Sequence, residues 1–471
     1  MKIFGIITII YFLLSFPTIY SQGKVISGSW IGKLKLSNGI QLTIVFNLQK
    51  SNDEYTATLD SPDQGVKGIL CGKVKIENDS INIDVPAIVG NYVGKIIYDE
   101  KKITGFWNQA GSSFELNLEY TKEVSPPNRP QEPKPPFPYI VEDVKFKNEK
   151  DNITLAGTFT YPEKNKKYPA VVLITGSGAQ NRDEEIFNHK PFLVIADHLT
   201  KNGFAVLRYD DRGYGESEGD HSLATTMDFA EDVRAAVNYL KTRNEVDKNK
   251  IGLIGHSEGG MIAPVVASSS DDIAFIVLMA APGVPGDSIL YLQTDLIYKA
   301  EGQSEEKIQQ ILKGLREVYT ILKSDEDEIS LREKLKIKFQ ELFNQLSEEE
   351  KKQFGNPETY MEMEIRMVMS PWFRYFLKFN PKEYLEKVKC PVLALNGEKD
   401  LQVPPKENLP AIEDALKHGG NNKYLIKELA GLNHLFQISK YGTIGEYGVI
   451  EETISPSVLE IMVNWMKETL N

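Results

Sequence analysis

The sequence predicts an α/β fold built on a mostly parallel sheet, with a small all-β domain in front and a helical insertion within it. Three observations predict this. From about residue 139 onward, apolar strand-like runs alternate with helical patterns, the mark of βαβ units. The region before it alternates apolar and polar positions with period two. A proline-rich stretch separates the two regions.

The chain of 471 residues is too long for one ordinary domain. Its net charge of −12, with no long Lys/Arg cluster, argues against nucleic acid as a partner. Residues 1–21 read as a signal peptide. Met1-Lys2 gives a positive start, Ile3 to Phe16 is nearly all apolar, and cleavage is expected near Ser21 or Gln22. The run is short for a membrane span, so the expectation is an exported protein, periplasmic or extracellular, with no stable span after cleavage. Retention as an uncleaved anchor stays open. The two cysteines, Cys71 and Cys390, make no disulfide framework. Cys390 opens an apolar run and reads as a small core residue. No Cys/His cluster has zinc-ligand spacing, so no metal is expected.

Residues 23–122 read as a small antiparallel, barrel-like β domain. Leu42, Ile44, Phe46 and Leu48 alternate with outward positions, as do Ile81, Ile83 and Val85. Ser37-Asn38-Gly39 and Asn78-Asp79 supply hairpin turns. Trp30, Trp107 and Tyr92 read either as core or as the lining of a ligand groove. Residues 123–138 form the linker, with seven prolines between Ser125 and Pro138, and read as a stiff spacer.

In residues 139–471 the strands expected are Ala170–Ile174, Phe204–Leu207, Ile251–Ile254 and Ala274–Met279, with helices at Pro191–Leu199 and Met227–Leu240 between them. Residues of about 285–387 lack strand signals and carry helical spacing in Glu306–Leu322, Leu331–Leu346 and Tyr360–Met369. An insertion there sits above the C-terminal ends of the strands, where ligands bind, and reads as a cap. The strand series resumes at Pro391.

Gly255-His256-Ser257-Glu258-Gly259 lies between the apolar strand and an apolar helix. A serine on so tight a turn has a strained backbone and an exposed hydroxyl. Gly215-Glu216-Ser217-Glu218-Gly219 matches the same pattern, but polar residues flank it and it reads as a loop. A serine hydroxyl needs a base, and the base needs an orienting acid. On such a sheet their chain order is Ser, then acid, then His. His434 follows the strand-like Tyr424–Leu429 and is the candidate base. His418 ends a helical run and reads as a C-terminal helix residue. The strand before supplies the acid, Asp400, with Glu398 as the alternative. The oxyanion donors expected are the backbone N–H groups of Glu258, at the helix start, and of Ser177 in the glycine-rich loop after the first parallel strand, with Gly178 next.

Together with that elbow, the Thr175-Gly176-Ser177-Gly178 to Asp183 run, Arg208-Tyr209-Asp210-Asp211-Arg212-Gly213, Ser370-Pro371-Trp372-Phe373-Arg374 and Gly431-Leu432-Asn433-His434 resemble the α/β-hydrolase superfamily. The narrower likeness is to bacterial exported carboxylesterases, some described as serine aminopeptidase-like. The resemblance implies an α/β-hydrolase fold with about eight strands, a Ser257-Asp400-His434 triad, no cofactor, and hydrolysis of short acyl esters. Thr175 departs from relatives that carry a histidine there, which opens the choice of second oxyanion donor. The front domain resembles lipocalin-like modules attached to such enzymes.

The leading reading is a serine carboxylesterase acting through an acyl-enzyme on a small-molecule ester. A cap-gated peptidase is the second, with Glu362 or Glu364 as partners for a substrate amine. An inert scaffold whose β domain binds a glycan or envelope partner is the third. Substrate identity and oligomeric state lie outside what the residues say.

Overall fold

From residue 140 onward apolar strands, buried on both faces in the middle of the sheet, assemble with two more exposed edge strands into one eight-stranded sheet. The computed structural model describes residues 26–471 except 36–40, 52–53, 65, 110–111, 123–127, 349–350 and 352–355. The signal-peptide segment and the Ser37-Asn38-Gly39 turn lie outside the described residues.

The front domain is a ten-stranded antiparallel sheet among the described residues. Its strands are β1 (Gly28–Lys35), β2 (Gln41–Ser51), β3 (Glu54–Ser61), β4 (Val66–Leu70) and β5 (Val74–Glu77). They continue with β6 (Ser80–Val85), β7 (Gly90–Ile97), β8 (Lys102–Gln109), β9 (Ser112–Glu115) and β10 (Leu118–Thr121). Strand β1 pairs with both β2 and β10, so the first and last strands meet at the middle of the sheet. The β5–β6 hairpin turns at Asn78-Asp79, with Asn78 in the left-handed region at φ 56°. Alternation along the strands sends Phe46, Leu48, Ile83 and Tyr92 into one core. Trp30, Trp107 and Tyr92 are in that core, at 3%, 2% and 0% exposure. That burial answers the groove reading: these three rings are packing.

The second sheet contains β11 (Ile140–Asn148), β12 (Ile153–Tyr161), β13 (Tyr168–Ile174), β14 (Ala205–Tyr209), β15 (Val246–His256), β16 (Ile273–Met279), β17 (Val392–Gly397) and β18 (Tyr424–Leu429). Their order is β11-β12-β14-β13-β15-β16-β17-β18. β11–β12 and β12–β14 pair antiparallel, and every later pair is parallel. Helices α1 (Pro191–Lys201), α2 (Thr226–Thr242) and α3 (Glu258–Ala267) fill the early crossovers. A capping box at Thr225 and Asp228 starts α2. One core lies on each face of the sheet.

Between β16 and β17 come α4 (Gly286–Ala300), α5 (Glu305–Lys323), α6 (Glu328–Asn344), α7 (Pro357–Val368) and α8 (Pro371–Lys378). They have a small core of their own around Val318, Leu322, Leu335 and Ile365. Among the described residues no helix is long and apolar enough to cross a membrane.

The proline-rich segment is more than a spacer. Arg129 donates to the carbonyls of Phe187, Asn188, Gly448 and Ile450. Gln131 donates to Ile454 O and accepts from the Thr453 and Ile454 amides. Each of these part-buried carbonyls gains a donor from the linker. Next to this seam, Asn188 donates to Pro62 O of the front domain.

Candidate active site

The elbow is set by where backbone passes backbone. Ser257 takes φ 52° and ψ −117°, a conformation that a non-glycine residue holds only when its surroundings dictate it. A Cβ on Gly255 would overlap the Gly259 carbonyl, and one on Gly259 would overlap the Ile174 carbonyl. Glycine at both positions is therefore a packing requirement. The Ser257 N–H is tied to Met279 O at 2.8 Å, which keeps the turn on the end of β15. The second match to the pattern stays in a loop: the Ser217 hydroxyl donates to Asp210 O and accepts from Ala156 N, so it is a structural group.

Asp400 follows β17 and His434 follows β18, and the structure brings them together. His434 Nδ1 stands 2.7 Å from Asp400 Oδ2. The other carboxylate oxygen, Oδ1, accepts from the Gln402 and Val403 amides at 2.9 and 2.8 Å. Asp400 is thus buried yet fully hydrogen-bonded. A carboxylate on Nδ1 assigns the proton to that nitrogen and leaves Nε2 as the acceptor. Glu398 is exposed and accepts from Gly431 N at 2.8 Å instead. The His434 loop is rigid because the Asn433 side chain accepts from the Leu435 and Gln437 amides and donates to Gln437 Oε1.

Ser257 and His434 line one cavity of about 260 Å³. Ser177 and Glu258 line it too, whereas Gly178 does not. Among the described residues neither the Ser177 nor the Glu258 amide has a protein acceptor. The glycine-rich loop lies close to the elbow, since a Cβ on Gly176 would stand 3.2 Å from Ser257 Cβ. Asp211 holds this loop: its carboxyl accepts from the Thr175 hydroxyl at 2.7 Å and the Gln180 amide at 2.9 Å.

The insertion supplies the cavity's apolar wall, through Ile289 and Leu290 of α4 and Trp372 and Phe376 of α8. Gln180, Gln293 and Gln402 add neutral polar groups. No lysine or arginine is among its described lining residues. Glu362 and Glu364, the cap carboxylates considered for an amine, do not line it. Glu362 pairs with Arg332, and Glu364 borders a separate apolar cleft within the cap. Among the described residues no group of three or more His, Cys, Asp or Glu is arranged to hold a metal.

Two side chains gained meaning only in three dimensions. The Glu258 carboxylate is buried beside the elbow and accepts from the Thr226 hydroxyl at 2.7 Å and the Trp372 indole at 2.8 Å. Burial pushes its carboxyl above the usual range, against the hydrogen bonds from Thr226, Trp372 and Ser177. His256 meets Glu184, 72 residues earlier in the chain. No local spacing could have paired them.

A family model described as serine aminopeptidase, S33, matches residues 190–352, about a third of the chain. Esterase EstD of Thermotoga maritima is 37% identical over 144 residues, which are 30% of this chain and 34% of EstD. The chain therefore spans about a third of the length of that relative. An uncharacterized 31.7 kDa protein from the traX-finO intergenic region of Escherichia coli is 26% identical over 332 residues, 69% of this chain and 100% of that protein. The solved esterase Pf2001 of Pyrococcus furiosus is 17% identical, with a TM-score of 0.41, covering 70% of this chain and 93% of its own. The sheet order and the strand-to-helix elbow are those of an α/β-hydrolase fold, and the matches to a serine aminopeptidase family model and to an esterase agree with it.

Proposed function

We propose that this chain is a serine hydrolase that cleaves carboxylic esters of short to medium acyl length through an acyl-enzyme. The observation that carries the reading is the 2.7 Å contact of Asp400 with His434 on the same cavity as Ser257, whose backbone is held at positive φ. In this reading His434 Nε2 takes the Ser257 proton and Ser257 Oγ attacks the ester carbonyl. The Glu258 and Ser177 amides receive the developing oxyanion. His434 then protonates the departing alcohol, and water repeats the sequence to release the acid. The apolar wall and the lack of a lysine or arginine in the described lining favour an uncharged acyl group.

Amide cleavage is the second reading, and two observations favour it: the aminopeptidase family model and the carboxylates of Glu184 and Glu258 at the cavity. Both carboxylates are already engaged, Glu184 by His256 and Gly176, Glu258 by Thr226 and Trp372. Their engagement favours the ester reading over the amide one. Turnover of aryl esters of increasing acyl length, set against amino-acid arylamides, tests the ranking. Preference for the arylamide reverses it.

A further inference from the structure

The residue before the elbow serine faces two acceptors at once. His256 Nδ1 lies 2.9 Å from Glu184 Oε1, and its Nε2 lies 3.0 Å from the backbone carbonyl of His434. A carbonyl oxygen only accepts, and an ionised carboxylate only accepts. A neutral imidazole has one N–H and satisfies one of them. The doubly protonated ring satisfies both, and Glu184 supplies its counter-charge inside a buried site.

We propose that His256 is a resident imidazolium, paired with Glu184, that positions the candidate base. The proposal rests on His434 acting as the base in the reading above. Three loops meet on the pair. Glu184 Oε1 also accepts from Gly176 N at 2.9 Å, which anchors the glycine-rich loop beside the elbow. His256 belongs to the end of β15, adjacent to Ser257. Its Nε2 fixes the backbone of His434 itself. The two imidazole rings are 4.8 Å apart between centroids, tilted by 45°. The titratable groups that face His256 are Glu184 from the loop after β13, Asp400 from the loop after β17 and His434 from the loop after β18. Burial works against the charged ring, but the Glu184 carboxylate, the His434 carbonyl and Asp400 outweigh it and move the His256 value upward.

Neither residue touches the reacting atoms in this proposal, so both are positioning residues. The test has two parts. In the wild-type protein, nitrogen-15 NMR of the histidine rings, assigned with His256→Gln, reads the charge directly. The expected result is two protonated ring nitrogens on His256 from pH 6 to 8. A single protonated nitrogen there overturns the proposal, whatever the variants do. In His256→Gln, checked for folding by thermal melt, kcat on an aryl ester is expected to fall by up to about 100-fold with KM nearly unchanged, as for a misplaced base. An unchanged kcat, or a loss confined to KM, overturns the positioning claim. Because the NMR result needs no turnover, failure of the ester reading is separable from failure of this one.

Discussion

The Trp372 indole of the cap donates to the Glu258 carboxylate, the side chain that follows the elbow serine, at 2.8 and 3.0 Å. This bond joins the insertion to the start of α3, and Trp372 also stacks on Phe376 at 5.1 Å. The cap wall is therefore referenced to the same residue whose amide is a candidate oxyanion donor. Trp372→Phe keeps the ring and removes the N–H. It is expected to cost about 1 to 3 kcal/mol, because a buried acceptor loses its donor, and to raise KM more than it lowers kcat. Urea unfolding and steady-state kinetics on an aryl ester check both.

Asp400 and Glu398 separate cleanly by substitution. Asp400→Asn retains an oxygen for the Gln402 and Val403 amides but removes the charge that orients His434. Its kcat is expected to fall on the order of 10³- to 10⁴-fold with the fold intact. Glu398→Gln is expected to change stability by less than about 0.5 kcal/mol, as for an exposed carboxylate, with kcat unchanged. Parallel kinetics and circular dichroism of the two variants decide this.

Asp211 gives a pH prediction with a definite sign. Burial, with Glu184 and Asp232 nearby, pushes its carboxyl up to about 8, against the hydrogen bonds from Thr175 and Gln180. The folded state holds the proton longer than the unfolded chain does. Its contribution to stability is thus full below about pH 4 and is lost as pH rises towards 8. Asp211→Asn carries no such titration. Wild type minus variant stability, from urea unfolding at fixed pH steps, is expected to fall between pH 4 and 8 and to level off above.

Arg129 tests the docked linker. Its guanidinium satisfies four carbonyls from two separate loops. Arg129→Ala leaves them without a donor and is expected to destabilise by on the order of 2 kcal/mol or more. A lower urea midpoint and faster proteolysis near Pro130 are the readouts.

The fold was legible where one local rule held over a whole element. Ile251–Ile254 could be read as a strand from its apolar run, and β15 extends it from Val246 to His256. The cap helix expected over Glu306–Leu322 is observed as α5, Glu305–Lys323, because its apolar residues repeat at helical spacing on one face. Helices α4 and α8 escaped notice. Their apolar residues face both the cap core and the cavity, and α8 spans only eight residues. Strands β11 and β12 were not singled out, since charges on the outer face of β11 dilute its pattern. The elbow could be read because glycine spacing reports steric overlap directly. The Glu184–His256 and Glu258–Trp372 contacts could not, because they join residues 72 and 114 positions apart through the fold alone. The proline run pointed to an extended chain, but nothing in its composition foretold that Arg129 and Gln131 would be hydrogen-bonded to the second domain.

Covalent labelling tests the central claim most directly. A fluorophosphonate probe, followed by digestion and mass spectrometry, is expected to place one adduct on Ser257, and Ser257→Ala is expected to lose both the adduct and aryl-ester turnover. An adduct on another residue, or full turnover by a folded Ser257→Ala protein, would contradict the account.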